Sequence, residues 1–393
     1  MREVLVGLEV CLTDPPDVLR RGRFGLLANQ ASLDRRFRYA WDVLAGAFPG
    51  RLAAIFSPQH GLWGEQQANM IETGHATHSR LGVPVYSLYS ETRRPTPEML
   101  EGLDCLVVDL QDVGTRIYTF AWTVLNCLRA CADADVSMLL LDRPNPLGGQ
   151  AVEGPLLEPE YRSFVGGACI PMRHGLTLGE LVSLVNVEDG IGADLKIVPM
   201  RGWSRAMLFP ETGRAWVAPS PNLPRFEGVL LYPGQVLLEG TNLSEGRGTT
   251  MPFEVAGAPY VDPDRLAEVL TCYELPGLAI RAVRFQPTFD KWSGESCGGV
   301  ALHVTDAAAV RPYRTAVALL AVVSRLWPEE FQLLPPPYEY ETQKMPIDIL
   351  SGGPVLREWL TTGSKGDASE LDAICAVDQS GWDTRMSRHL LYR

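Results

Sequence analysis

Short, almost uninterrupted apolar runs recur through the first half of the chain, with helical patterns between them. The runs are Phe24–Ala28, Leu52–Phe56, Val85–Tyr89, Cys105–Leu110 and Met138–Leu141. A strand with one face in water alternates apolar and polar residues; a continuous apolar run fits a strand covered on both faces, as in a parallel sheet. The segments between read as helices: Arg36–Gly46, Thr96–Gly102 and Phe120–Ala134. The second opens on Thr96-Pro97-Glu98, which places a capping residue, a first-turn proline and an acid at the positive end of the helix dipole. Strand then helix, repeated, predicts an α/β fold, a Rossmann-like and mostly parallel sheet with right-handed crossovers. Near residue 255 the pattern changes. Helices over Asp264–Leu275 and Tyr313–Leu326 and strands over Ala279–Phe285 and Gly299–Thr305 predict a smaller α+β domain. The expected division is 1–255 and 256–393.

In open α/β sheets, ligands bind beyond the carboxyl ends of the strands. Here those ends carry the unusual polar residues: Ser57-Pro58-Gln59-His60-Gly61, then Gln111-Asp112-Val113-Gly114-Thr115-Arg116, then Asp142-Arg143-Pro144-Asn145. A fourth polar, glycine-rich stretch, Glu239 to Thr250, contains Asn242, Glu245 and Arg247. Glycines there let backbone approach a ligand closely, and the density of hydrogen-bonding side chains suits a polyhydroxylated substrate. All four segments are expected to converge on one cleft. Trp63, Trp122, Trp203, Trp216 and Trp292 offer apolar faces for sugar rings, although tryptophan more commonly fills cores.

Several classes are excluded. With 35 basic and 47 acidic residues the net charge is −12, a poor match to nucleic acid or to an anionic membrane. No apolar run approaches the length of a membrane span. Acidic residues interrupt the first 25 positions, so no signal peptide is visible and a cytoplasmic location is expected. The eight cysteines are scattered without a CxxC pair, against a disulfide framework. No GxGxxG, P-loop, HExxH or GxSxG is present. No cofactor is expected, and no metal, although His60, His75 and His78 lie close together in sequence.

Glycoside cleavage requires an acid at the leaving oxygen and usually a second carboxylate. Glu65, Asp112, Asp142, Glu239 and Glu245 are the candidates, and sequence does not rank them. The ordered strings SPQHGLWGEQQ, RPTPEML, VVDLQDVGTRIYTF, LDRPNPLGG, EGPLLEP, IPMRHGLTLGEL, APSPNLP, LLYPG and EGTNLSEGRGTT closely resemble the exo-β-N-acetylmuramidase family. The similarity runs from about residue 20 to 260, and more weakly to Tyr392. The resemblance implies a Rossmann-like catalytic domain, a smaller C-terminal domain and a cleft between them. It implies release of terminal N-acetylmuramic acid from the non-reducing end of peptidoglycan fragments during cell-wall recycling.

One position departs from the family. Members commonly carry Glu where this chain has Gln59, and an amide cannot donate and recover a proton at neutral pH. Two readings follow: a glycosidase using another acid, with Glu65 in the same loop as first choice, or a catalytically silent sugar binder that kept the cleft. The expected catalytic set is therefore Gln59, His60, Glu65, Asp112 and Glu245. The expected substrate-binding set is Arg116, Asp142, Arg143, Asn145, Glu239, Asn242 and Arg247. A guanidinium among Arg116, Arg143 and Arg247 could hold the lactyl carboxylate of muramic acid, or, on a third reading, a phosphate.

Overall fold

A computed structural model describes residues 4–67, 71–362 and 368–393. Seven strands form the main sheet: β1 (Phe24–Ala28), β2 (Leu52–Ser57), β3 (Ala76–Thr77), β4 (Pro84–Ser87), β5 (Cys105–Asp109), β6 (Ser137–Leu141) and β7 (Leu195–Val198). Their order is β3-β4-β2-β1-β5-β6-β7. All neighbours are parallel except the β3–β4 pair.

The continuous apolar runs have the meaning expected of them. Leu27, Phe56, Val108 and Leu140 point into one core. Their sequence neighbours Leu26, Ile55, Val107 and Leu139 point into another. Both faces of the pleat are thus covered. The helix Phe120–Asp133 buries Val124, Cys127, Leu128 and Cys131 on the first face. Helices Gly7–Thr13 and Ala40–Ala47 close the second with Leu8, Cys11, Trp41 and Leu44. The latter helix starts at Ala40, not at Arg36. Phe37 stands at φ +56°, a left-handed conformation that a helix cannot contain. β7 escaped the sequence pattern because it is a short edge strand, half-buried, with Lys196 exposed.

A second sheet, β8 (Val255–Ala258), β9 (Leu278–Phe285) and β10 (Cys297–Val304), is antiparallel in the order β8-β10-β9. It is covered by the helix Pro263–Leu270, against which the helix Pro312–Leu326 packs. Its core is continuous with the first face of the main sheet: Val300 and Leu319 belong to the same apolar cluster as Leu27 and Val108. The two parts meet closely where the helix Phe226–Gln235 crosses the helix Pro312–Leu326. A Cβ on Gly234 would sit 1.8 Å from the carbonyl oxygen of Pro312, so only glycine permits this crossing.

Strand order reverses between β1 and β5, since β1 leads to β2 on one side while β5 leads to β6 on the other. The crevice at such a switch point is the expected ligand position. Directly below it lies a buried ion pair. Arg143 Nε and Nη2 donate to Asp109 Oδ1 and Oδ2 at 2.6 and 2.8 Å, and Nη2 also reaches Leu33 O at 3.0 Å. Both side chains are nearly inaccessible. Removing one partner of such a pair leaves a buried charge uncompensated. Asp109→Ala should therefore cost about 3–5 kcal/mol in urea unfolding. Asp109→Leu combined with Arg143→Met should recover much of that loss.

Candidate active site

The loop after β2 makes a sharp turn. Gly61 N donates to Pro58 O at 3.2 Å, and His60 and Gly61 both take left-handed backbone, at φ +72° and +82°. Such a conformation costs a non-glycine residue of order 1–3 kcal/mol and collects at functional sites. The His60 ring is fixed from both sides. Its Nδ1 lies 2.6 Å from Gln66 O, and a carbonyl can only accept, so Nδ1 carries the proton. Nε2 is then an acceptor, 3.2 Å from the Ser220 hydroxyl. Burial pushes His60 down to about 4 and keeps it neutral, with the Arg247 charge acting in the same direction. The Gln59 carbonyl oxygen accepts from Thr119 Oγ1 at 2.6 Å. Its amide N–H groups, which have no hydrogen-bond partner among the described residues, remain as donors.

Gln59 and His60 line a cavity with Tyr118, Ser220, Tyr232, Glu239, Arg247 and Glu339. Three carboxylates surround Arg247 or face it. Glu239 Oε1 accepts from Arg247 Nη2 and Oε2 from Tyr338 Oη, each at 2.6 Å. Both Glu239 oxygens are thus engaged as acceptors. Glu245 lies behind, bridged to Arg247 Nε at 3.1 Å and Lys291 Nζ at 2.8 Å. These cations hold it below the usual carboxylate range against the effect of its burial. Glu339 is different. Burial, then the nearby charge of Glu239, push it up to about 7, and Tyr89 Oη donates to it at 3.2 Å.

The backbone around Glu339 sharpens that contrast. Tyr338 and Glu341 exchange two backbone hydrogen bonds at 2.9 Å around Glu339 and Tyr340, whose φ values are +42° and +71°. A turn with positive φ at both central positions normally carries Asn and Gly. Here it carries Glu and Tyr. Tyr340 is held by the Arg93 guanidinium, which sits 4.6 Å from its ring centroid and 4.1 Å from that of Tyr89. The strained turn presents Glu339 to the cavity.

The structure therefore brings together Gln59, His60, Glu239 and Arg247, with Glu245 behind them. Of the four segments expected to converge, 57–61 and 239–250 meet at the cavity; 111–116 lines none of it, the residues just beyond, Ile117, Tyr118 and Thr119, doing so instead, and 142–145 lines none of it either. Asp112 lies beneath it. Its Oδ2 accepts from Gly114 N at 2.7 Å, its Oδ1 has no partner among the described residues, and burial pushes it up to about 7.

Other expected residues are used inside the fold. Arg116 donates to the carbonyls of Pro155, Ile170 and Leu350, each at 2.9 Å, and faces no ligand cavity. Asp142 accepts from Thr177 Oγ1 and Tyr392 Oη at 2.7 Å and from Gly179 N at 3.0 Å. Arg143 is held by Asp109. Asn145 bonds Leu176 O and Leu147 N, and Asn242 bonds Glu330 O, Gln332 N and Tyr260 Oη. In each case side-chain or backbone groups of the fold engage the side chain that a ligand was expected to use, although Arg143 also lines a separate cavity with Gln111 and Arg214. Glu65 is exposed on the far side of its loop, with its oxygens over Gly61. The three histidines share no centre: His75 Nδ1 accepts from Ser87 N and His78 Nδ1 from Leu81 N.

Sequence reasoning missed Tyr118, Ser220, Tyr232, Tyr338 and Glu339. The first two lie in VVDLQDVGTRIYTF and APSPNLP, strings already singled out, and Tyr232 lies in LLYPG. Glu339 follows Pro335-Pro336-Pro337, where only an acid between two tyrosines could have signalled it.

Two adjoining family models match the chain: exo-β-N-acetylmuramidase NamZ, N-terminal, over residues 24–227, and its C-terminal counterpart over 230–392. A curated relative, the peptidoglycan β-N-acetylmuramidase NamZ of Bacillus subtilis, is 45% identical over 332 residues, 84% of this chain and 80% of the relative. Two crystal structures of DUF1343 family proteins from Bacteroides fragilis are similar throughout. One has a TM-score of 0.89 at 30% identity and covers both chains fully. The other has a TM-score of 0.76 at 29% identity, over 100% of this chain and 99% of that one.

The neutral His60 has a consequence for stability. Its folded pKa lies below the ordinary value of 6.5, so between about 6.5 and 4 the unfolded chain binds the extra proton. Stability must fall as pH drops through that window, by up to about 3 kcal/mol from this residue. Urea unfolding from pH 7 to 4 should show a steeper loss in the parent chain than in His60→Gln.

Proposed function

Since the chain belongs to the exo-β-N-acetylmuramidase NamZ family, we propose that it releases terminal β-linked N-acetylmuramic acid from the non-reducing end of peptidoglycan fragments, with Glu339 as the acid. The observation that carries this reading is the pairing of unlike carboxyls in one buried cavity. Glu339 is pushed up to about 7 and can hold a proton at neutral pH. Glu239, beside it, has both oxygens engaged as acceptors, from Arg247 and Tyr338. Environments that separate two carboxyls in this way assign acid and counter-charge.

In the reaction Glu339 gives its proton to the glycosidic oxygen as the bond to the anomeric carbon breaks. Water adds its hydroxyl to that carbon, and its remaining proton restores Glu339. Glu239 stabilises the positive charge that grows on the sugar. Gln59 transfers no proton; with its carbonyl tied to Thr119, its N–H groups bind a substrate oxygen. Neutral His60 is a second polar contact, locked by Gln66 and Ser220. Arg247 Nη1 takes the lactyl carboxylate, since Nη2 is committed to Glu239 and Nε faces Glu245. The silent-binder reading rested on the missing acid at position 59, and the cavity offers an acid elsewhere.

The expected division at 255/256 is kept as part of the proposal. The cavity takes Gln59, His60, Tyr118 and Ser220 from before it and Tyr338 and Glu339 from after it. All eight cysteines are unpaired, which suits a reducing compartment. No described helix is long and apolar enough to cross a membrane. We place the reaction in the cytoplasm, on fragments recovered from the wall.

A chromogenic β-N-acetylmuramide should be turned over, and the matching glucosaminide, which lacks the lactyl group, should not. Glu339→Gln should lower kcat by about 10²–10⁴. In the parent enzyme kcat/KM should fall as pH rises through about 7, because the acid must be protonated. An unchanged rate in Glu339→Gln would move the acid to another residue.

A further inference from the structure

The loop that supplies Gln59 and His60 to the active site has a second side. Immediately after the left-handed turn, Leu62, Trp63 and Glu65 line a separate cavity, closed across by Thr73, Thr77 and His78. Three observations there lack an explanation in the fold. Trp63 is 52% exposed, although an indole normally gains by burial. It is also held firmly. Its ring stands edge-on to Tyr39 and Trp41 at 5.3 and 5.4 Å, and those two are stacked at 4.3 Å. The third observation is His78, 7% exposed. Its Nδ1 accepts from Leu81 N at 3.2 Å, so the neutral ring carries its proton on Nε2. That buried N–H has no acceptor among the described residues, a deficit worth about 1–3 kcal/mol.

One ligand chemistry answers all three. A pyranose has a C–H face that covers an indole and a hydroxyl rim that both donates and accepts. An apolar ligand would leave the His78 N–H unpaired, and a phosphate would meet the Glu65 carboxylate. We propose that this cavity is a second saccharide subsite, which holds the sugar on the leaving-group side of the scissile bond, with Trp63 under the ring, Glu65 accepting a hydroxyl and His78 Nε2 donating to another. The two cavities adjoin through the chain. His60 lines one cavity and Gly61 the other, and consecutive Cα atoms are about 3.8 Å apart. On this proposal the next sugar of a glycan whose terminal residue occupies the active site therefore lies on the other side of this turn. The assignment to the leaving-group side rests on the muramidase reading; the assignment to a saccharide rests on the cavity alone.

Two measurements test it on the full chain. The first is the ratio of kcat/KM for a muramyl-glucosaminyl disaccharide to that for an aryl β-N-acetylmuramide, whose leaving group contains no sugar. Trp63→Ala should lower this ratio about three- to tenfold, the worth of one aromatic contact. Thr77→Trp, which fills the cavity from β3, should lower it at least as far. An equal fall on both substrates, or no fall, overturns the subsite. The second is calorimetric titration with N,N′-diacetylchitobiose, which requires no turnover. Binding by the parent chain that is lost in Thr77→Trp supports a saccharide site; binding unaltered by Thr77→Trp, or absent from the parent, overturns it. Should neither muramide be hydrolysed, the muramidase reading fails and the titration still decides the subsite.

Discussion

Arg247 is the charge around which the cavity is built. It lies between Glu239 and Glu245, 2.6 and 3.1 Å from their nearest oxygens, and is itself almost inaccessible. A buried guanidinium is tolerated only when its surroundings compensate it. Here the compensation extends further. Lys291, from the loop after β9, directs all three ammonium donors inward, to Leu238 O, Leu243 O and Glu245 Oε2 at 2.7–2.8 Å. Two cations thus hold two carboxylates, and the lysine ties the second sheet to the wall of the pocket. Glu339 sits outside this closed set: the Tyr89 hydroxyl donates to it, and burial and the charge of Glu239 push it up to about 7 against the weaker pull of Arg247 and Arg93.

The parts legible in sequence were those set by local pattern. Continuous apolar runs gave both-face burial, and Phe24–Ala28 appears as a strand with the expected bounds. The loops after β2 and β5 and the 239–250 stretch were recognisable as site-bearing because polar and glycine-rich sequence is out of place beside such strands. The fate of each arginine was not legible. Arg116, Arg143 and Arg247 all stand in polar loops, and only the last reaches the cavity. What separates them is three-dimensional: carbonyls of Pro155, Ile170 and Leu350 around the first, Asp109 beneath the second. Glu339 was hidden for a related reason. Its value depends on a turn of unfavourable composition and on a neighbour 100 positions away in sequence, Glu239.

The loop after β2 shows how a short segment can serve two surfaces. Two successive left-handed residues reverse the side on which side chains emerge. Gln59 and His60 enter one cavity and Trp63 and Glu65 the other. The side from which Gln59 emerges and the exposure of Trp63 are therefore not independent features of the chain, since both depend on the turn at His60 and Gly61 keeping its unusual backbone.

Arg116 carries a consequence for biosynthesis. Its guanidinium is buried without a carboxylate, and one of its three acceptors, Leu350 O, lies 234 residues further along the chain. A ribosome delivers the strands of the main sheet long before it delivers residue 350. Until then one donor of that cation has water as its only recourse, and the apolar surface shared with the second sheet stays uncovered as well. The nascent first sheet is thus an incomplete body that waits for its partner, from the emergence of β7 until that of residue 350, and a sheet left uncovered in this way is prone to misassembly.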